Sequence, residues 1–284
     1  MAVWTVGAVL SWSTDYFERH GIDTPRIDAE VILMHILNKD RIHIYTEFDK
    51  PLQQDELSRL HDAVKRRAEH EPVAYITGHR EFMGMPFAVT HDVLIPRPDT
   101  EILVEKAVAR LNEMESPVFL DMGTGSGAIA LAVLHFVPSA KAILADVSGA
   151  ALKIAAENAA ALGLSERAEF IESDLFARLD DRVFDAILSN PPYIPDGDIA
   201  GLAPEVRDYE PHMALAGGAD GLDFYRRIID ETPGHLESDG FMSFEAGIDE
   251  AEPIAELLRA KGFEVSTAKD LAGIERVVTG VKVH

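Results

Sequence analysis

The sequence predicts an α/β fold: a mostly parallel sheet with helices on both faces, preceded by a small helical bundle. Three observations predict it. From Val118 onward short apolar runs alternate with segments of helical periodicity, and parallel strands need crossover helices between them. The first of those runs leads into a glycine-rich loop, Asp121-Met122-Gly123-Thr124-Gly125-Ser126-Gly127, placed between strand and helix. Before Pro72, by contrast, the apolar residues recur with the helical period alone.

The elements follow in order. Val6, Val9 and Leu10 begin an apolar stripe that ends near Gly21. Thr24-Pro25 supplies an N-cap and a first-turn proline for a helix through Ile27, Val31, Met34 and Leu37. Asp40 is placed to cap a short third helix over Ile42 to Phe48. Leu57, Leu60 and Val64 mark a fourth, whose last turn Lys65-Arg66-Arg67 reads as a solvated helix end before Pro72. Short apolar runs then surround glycine and proline: Tyr75-Ile76-Thr77-Gly78, Glu81-Phe82-Met83 and Phe87-Ala88-Val89. They predict a β-hairpin that links two domains. Leu94-Ile95-Pro96-Arg97-Pro98 is an extended strap, and Asp99 and Glu101 open a helix through Ile102 to Leu111. Strands are expected over 118–122, 142–145, 170–171, 184–188, 241–244, 263–265 and 277–281, with helices over 128–136, 150–161, 222–229 and 253–259. The expected division is a helical substrate-docking domain over 1–74, a hairpin linker over 75–92 and a catalytic domain over 93–284.

Composition narrows the function. With 26 Lys+Arg against 49 Asp+Glu the net charge is −23, a balance that repels a phosphate backbone, so no direct nucleic-acid partner is expected. The chain has no cysteine, which excludes disulfides and thiolate metal sites and fits a reducing cytoplasm. Its start is apolar but lacks a leading basic residue and soon reaches Asp15, Glu18 and Arg19, so neither a signal peptide nor a membrane span is expected. No metal site is expected either.

The glycine loop can turn sharply and admit a ligand without a Cβ in the way, and Asp146 stands where an acid takes ribose hydroxyls. Alone, the loop fits NAD and S-adenosylmethionine equally. Asp121 suits a cofactor with a cationic amino-acid moiety better than a pyrophosphate. Ser173-Asp174-Leu175-Phe176 offers a carboxylate and apolar side chains for an adenine. The run Asp185-Ala186-Ile187-Leu188-Ser189 then enters a rigid turn, Asn190-Pro191-Pro192-Tyr193. Two prolines fix φ and remove two N–H donors, leaving carbonyl acceptors. A planar nitrogen with two hydrogens, an amide or an exocyclic base amine, suits such a turn: the Asn190 side-chain oxygen and the Pro191 carbonyl engage both hydrogens while Tyr193 stacks on the planar group. Arg97 is placed either to meet substrate, to order the strap or to form a surface ion pair. The long segment Ile194 to Ala219 reads as a substrate-side lid.

Glu71-Pro72-Val73-Ala74-Tyr75-Ile76-Thr77-Gly78, Pro96-Arg97-Pro98-Asp99-Thr100-Glu101, the loop Asp121 to Gly127, the turn Asn190 to Tyr193, and Glu210-Pro211-His212 with Gly217-Gly218 and Asp220-Gly221-Leu222 together resemble the HemK/PrmC family. The resemblance runs from about residue 20 to the C-terminus. It implies a Rossmann-like S-adenosylmethionine-dependent methyltransferase that modifies the glutamine amide of the Gly-Gly-Gln motif in class I peptide chain release factors. It also implies that Gly123, Thr124, Gly125, Ser126, Gly127, Asp146, Asp174 and Leu175 bind the cofactor and that Asn190, Pro191, Pro192 and Tyr193 hold the glutamine. Two departures stand out. Asp99 replaces a glutamate common in the family. Phe244-Glu245-Ala246-Gly247-Ile248-Asp249-Glu250 stands where Glu-Ile-Gly with a nearby glutamine is usual, in a region expected to lie away from methyl transfer. An adenine-amine methyltransferase on nucleic acid is the alternative that the turn leaves open.

Overall fold

The computed structural model describes residues 4–282; Met1-Ala2-Val3 and the outer bounds of the expected domains lie outside the described residues. Two compact units form: Met1–His79 with Ala203–Tyr209, and Arg80–Leu202 with Glu210–His284.

The first unit contains α1 (Val6–Arg19), α2 (Pro25–Leu37), α3 (Arg41–Thr46), α4 (Gln54–Ala68) and α5 (Val73–Thr77). In α1 the buried Val6, Val9, Leu10, Ser13 and Phe17 recur at helical spacing, and Thr5 accepts a hydrogen bond from the Ala8 N–H at 3.2 Å. Phe17, Ile32, Leu33 and Ile44 centre the core. The basic end of α4 is the solvated helix end expected at Lys65 and Arg66, which are exposed, but not at Arg67. Arg67 is 5% exposed, and its guanidinium reaches Asp28 at 2.6 Å and Glu205 at 2.9 Å. Arg66 forks onto Glu71 at 2.7 and 2.5 Å. Residues far apart in sequence thus neutralise a charge that looks solvated when only its own helix is read. Tyr75-Ile76-Thr77 likewise belongs to a short helix closed by Gly78 at φ +79°, and the hairpin begins after it.

That hairpin is β1 (His79–Phe82) and β2 (Met85–Ala88), joined through Met83 and Gly84 at φ +51° and +74°. Two left-handed central residues match the twist of antiparallel strands. Then come α6 (Thr100–Leu111), β3 (Val118–Met122), α7 (Ala128–Phe136), β4 (Lys141–Asp146), α8 (Gly149–Ala161), β5 (Ala168–Glu172) and β6 (Phe184–Ser189). The chain continues through α9 (Pro204–Arg207), α10 (Asp223–Glu231), β7 (Leu236–Glu245), α11 (Ala251–Ala260), β8 (Phe263–Lys269) and β9 (Glu275–Lys282). The strand that reads as 241–244 is longer because its first half, Glu237-Ser238-Asp239, is exposed and polar, and a register shift at Phe184/Ala186 accommodates it.

The seven-stranded sheet has the order β5-β4-β3-β6-β7-β9-β8. All neighbouring pairs from β5 to β7 are parallel, and β9 and β8 return antiparallel. Successive residues of a strand face opposite sides. Phe119, Leu144 and Leu188 therefore enter one core cluster with α6, α7 and α8, while Leu120, Ile143 and Ile187 enter another with α10 and α11. Every residue of α7 up to Leu134 is buried; truncating Leu131 to alanine costs about 2–5 kcal/mol. The order of strands reverses between β3 and β6. The carboxyl ends of these two strands form the crevice in which ligands bind in such sheets.

Candidate active site

The loop after β3 is fixed by its backbone. Gly123 and Thr124 both donate to the Ala145 carbonyl, at 2.8 and 3.1 Å, and Gly123, Gly125 and Gly127 have φ of +72°, +55° and +81°. A Cβ on Gly123 or Gly125 meets nothing within 4 Å, whereas one on Gly127 meets Leu131 at 3.0 Å and Ala155 at 3.2 Å. The first two glycines serve the turn; the third also serves the close approach of α7 to α8. Asp146 ends β4 and accepts from Gly125 N–H and Ser148 N–H, both at 2.9 Å, while burial pushes its carboxyl up from the usual range. Asn158 of α8, silent in the sequence, donates to the Ser126 carbonyl at 2.9 Å and exchanges two bonds with Ala88.

Asp121 lies fully buried beneath this loop. Its Oδ2 accepts from Thr124 Oγ1 at 2.6 Å and Ala130 N–H at 3.1 Å, and its Oδ1 has no partner among the described residues. Burial pushes its carboxyl to about 7. The same carboxylate shapes the loop and leaves one oxygen uncompensated in a low-dielectric interior.

β6 lies beside β3, with Ser189 paired to Met122, and Ser189 Oγ donates to the Met122 carbonyl at 2.7 Å. This bond ties the starts of the glycine loop and the proline turn together. Asn190 Nδ2 donates to Thr100 Oγ1 at 3.3 Å, so the amide has at least one donor engaged at the start of α6. One cavity is lined by Gly123, Thr124, Gly125 and Ser126, by Asp146, by Asp174 and Leu175, and by Asn190, Pro191 and Pro192. The strap contributes Pro96 and Arg97, and the segment after β6 contributes Pro211, Met213 and Ala214. Arg97 also pairs with buried Glu210 at 2.5 Å, whose other oxygen receives the Ile95 N–H at 3.4 Å. It therefore orders the strap while facing the cavity. Asp174 pairs with Arg227 at 2.8 Å, and Leu175 sits at φ +48°.

Three expected site residues, Asp121, Gly127 and Tyr193, do not line the cavity. Asp121 and Gly127 lie behind the loop they shape. Tyr193, expected to stack on a planar group, packs its backbone and one ring edge against glycines. A Cβ on Gly217 falls 2.7 Å from the Tyr193 Cα, one on Gly221 falls 2.4 Å from its carbonyl oxygen, and one on Gly247 falls 3.0 Å from its ring. Burial pushes the phenol to about 12. The segment expected as a lid contributes Pro211, Met213 and Ala214 to the cavity, Ile194 bridges Ala216 at its base, and Ala203–Tyr209 belongs to the first unit. His212 is exposed.

Glu245 was not singled out by sequence reasoning, which set its region apart from methyl transfer. It ends β7 one residue past Phe244, which pairs with Ser189, and so stands beside Asn190. It is 2% exposed, and its Oε2 has no partner among the described residues. Burial pushes its carboxyl to about 7 against hydrogen bonds from Thr100 and Asn190. An acid closing an apolar strand next to the Asn-Pro-Pro strand was the available signal. Among the described residues no group of three or more His, Asp or Glu could hold a metal ion, and no helix is long and apolar enough to cross a membrane.

A seven-stranded sheet with reversed last strands, a glycine loop after its first strand and an Asn-Pro-Pro turn after its fourth defines a Rossmann-like methyltransferase. A methyltransferase from Pyrococcus furiosus has the same fold, with a TM-score of 0.53 at 17% identity, covering 81% of this chain and 99% of that one. Residues 8–78 match the family described as PrmC N-terminal domain, and residues 98–202 the methyltransferase small domain. The release factor glutamine methyltransferase of Geobacter sulfurreducens is 43% identical over 279 residues, 98% of this chain and 97% of that protein. Its counterpart from Rhodopirellula baltica is 40% identical over 287 residues, 97% and 96% of the two chains. The chain belongs to the release factor glutamine methyltransferase family.

Proposed function

We propose that this protein methylates the side-chain amide nitrogen of the glutamine in the Gly-Gly-Gln motif of class I peptide chain release factors, using S-adenosylmethionine. The observation that carries the reading is that Asn190 and Pro191 line one cavity with Gly123, Gly125 and Asp146. The residues fit the cofactor. Gly123 and Gly125 leave open space where a side chain would stand, Asp146 faces the cavity for ribose hydroxyls, and the unpartnered Oδ1 of Asp121 supplies a negative field for an ammonium group. When bound, S-adenosylmethionine supplies an electrophilic methyl group on a cationic sulfur.

The chain's own residues do the rest. An amide nitrogen is a poor nucleophile because its lone pair is delocalised. The Asn190 Oδ1 and the Pro191 carbonyl accept its two hydrogens, fix its direction and favour positive charge developing on it. Pro191 and Pro192 carry no N–H to compete for those acceptors. No strong base is needed, since the nitrogen becomes acidic only after it has gained a new bond and then loses a proton to water. Tyr193, held by three glycines, keeps the turn in place, and Arg97 keeps the strap ordered at the cavity. Asp174 and Leu175 form the adenine end, and the N-terminal helical unit docks the protein substrate. A release factor as partner sets the site of action in the cytoplasm. The exocyclic amine of adenine has the same two hydrogens, but a net charge of −23 opposes a nucleic-acid substrate.

The test is transfer of a labelled methyl group from S-adenosylmethionine to a purified release factor. A factor whose Gly-Gly-Gln glutamine is alanine should take up none. No label on the native factor, or equal label on both, overturns the assignment.

A further inference from the structure

We infer that Glu245 is a positioning residue for methyl transfer: it holds the Asn190 side-chain amide, directly and through Thr100, so that the amide oxygen faces the substrate. The inference rests on the reaction proposed above. An asparagine amide can rotate by half a turn within nearly the same volume, and one orientation offers an acceptor while the other offers a donor. Only the acceptor orientation serves a substrate NH₂. Asn190 Nδ2 donates to Thr100 Oγ1 at 3.3 Å, Thr100 is 4% exposed, and both side chains lie against the Glu245 carboxyl group, where they favour its charged form. A carboxylate accepts and does not donate, so it selects the nitrogen side of the amide and leaves the oxygen for the substrate. The sheet register makes the arrangement stiff, since Glu245 pairs with Val277 and its neighbour Phe244 pairs with both Val278 and Ser189. Tyr225 adds to this by donating to the Glu245 main-chain carbonyl at 2.7 Å.

The carboxylate form is the working one. A protonated Glu245 becomes a donor and competes for the Asn190 oxygen. The groups that face it are Asp99 and Thr100 at the start of α6, Asn190 and Tyr193 after β6, Arg276 on β9 and Tyr225 on α10. Asp99 pushes the carboxyl up and Arg276 pulls it down, with burial the larger cause, to about 7.

The experiment compares wild type, Glu245→Gln, Asn190→Ala and the double variant in the release-factor assay at saturating cofactor. Wild-type kcat should rise with pH through about 7, and Glu245→Gln should lower kcat by ~10-fold or more, flatten that limb and leave cofactor affinity unchanged. In the Asn190→Ala background the Glu245→Gln change should cost nothing further. Thr100→Val provides a second route to the same loss if Glu245→Gln folds poorly, and Thr100→Ser should restore activity. A full additional loss in the double variant, or an unchanged pH limb in Glu245→Gln, overturns the inference. An inactive wild type overturns the proposed reaction instead.

Discussion

The loops after β3 and β6 occupy equivalent places at the carboxyl ends of adjacent parallel strands, yet their chemistry is opposite. The first has three glycines at positive φ, and its Gly123, Thr124 and Gly125 N–H groups donate to the Ala145 carbonyl and to Asp146. The second has two consecutive prolines and therefore no N–H at either position. One loop wraps through its glycines and donates from its backbone; the other stays rigid and, at its two prolines, offers only carbonyl acceptors. The difference teaches that the sheet provides a location, and that backbone freedom chosen residue by residue decides what that location binds.

Changes to each loop should break different properties. The largest effect is expected from Asn190→Ala, which removes the turn's side-chain acceptor. Loss of one transition-state hydrogen bond typically lowers kcat by about 10²–10³, and cofactor affinity, measured by calorimetry, should move far less. Retained activity would break the acceptor assignment. Asp146→Ala should do the reverse. It frees the Gly125 and Ser148 N–H groups and removes the cavity acid. Loss of hydrogen bonds to a charged group costs about 1.5–3 kcal/mol, read here as tenfold or weaker cofactor binding with kcat at saturation nearly kept.

Cofactor binding should also weaken as pH falls. Asp121 titrates at about 7 when free of ligand, and a bound cation favours its carboxylate, so binding below that pH must first expel a proton. Affinity should drop by up to about tenfold per pH unit below 7, and Asp121→Asn should flatten the profile. A flat wild-type profile would show that Asp121 acts on the loop alone. The smallest effect belongs to Gly127→Ala, where a left-handed backbone and contacts at 3.0 and 3.2 Å oppose the new methyl group. A cost of about 1–2 kcal/mol should appear as a lower melting temperature with modest change in kcat.

Much of this was legible in sequence. The strand Val118–Met122 and the helix Ala128–Phe136 declare themselves because a glycine loop separates two saturated apolar runs. Asn190 and its prolines carry their chemistry in their own covalent structure. Arg67, Asn158 and Glu245 do not. Arg67 reads as a surface cation until Asp28 and Glu205 close on it; Asn158 reads as a helix residue until Ser126 and Ala88 reach it. Glu245 depends on Asn190, which only strand order brings alongside. Tyr193 is legible beside Asn190, but the glycines against which it packs, Gly217, Gly221 and Gly247, come from later segments.

The short excursion Ala203–Tyr209 has a bearing on how the protein is made. Glu205 supplies a carboxylate to buried Arg67, and the Tyr209 hydroxyl donates to the Glu69 carbonyl at 2.7 Å. The helical unit is thus finished with material encoded far downstream. A growing chain reaches that material only after β3 to β6 have been synthesised, so the first unit cannot complete itself while it is the only part outside the ribosome. Until then Arg67 lacks one of its two carboxylate partners. The helical unit precedes the sheet along the chain and is among the last parts to be chemically whole.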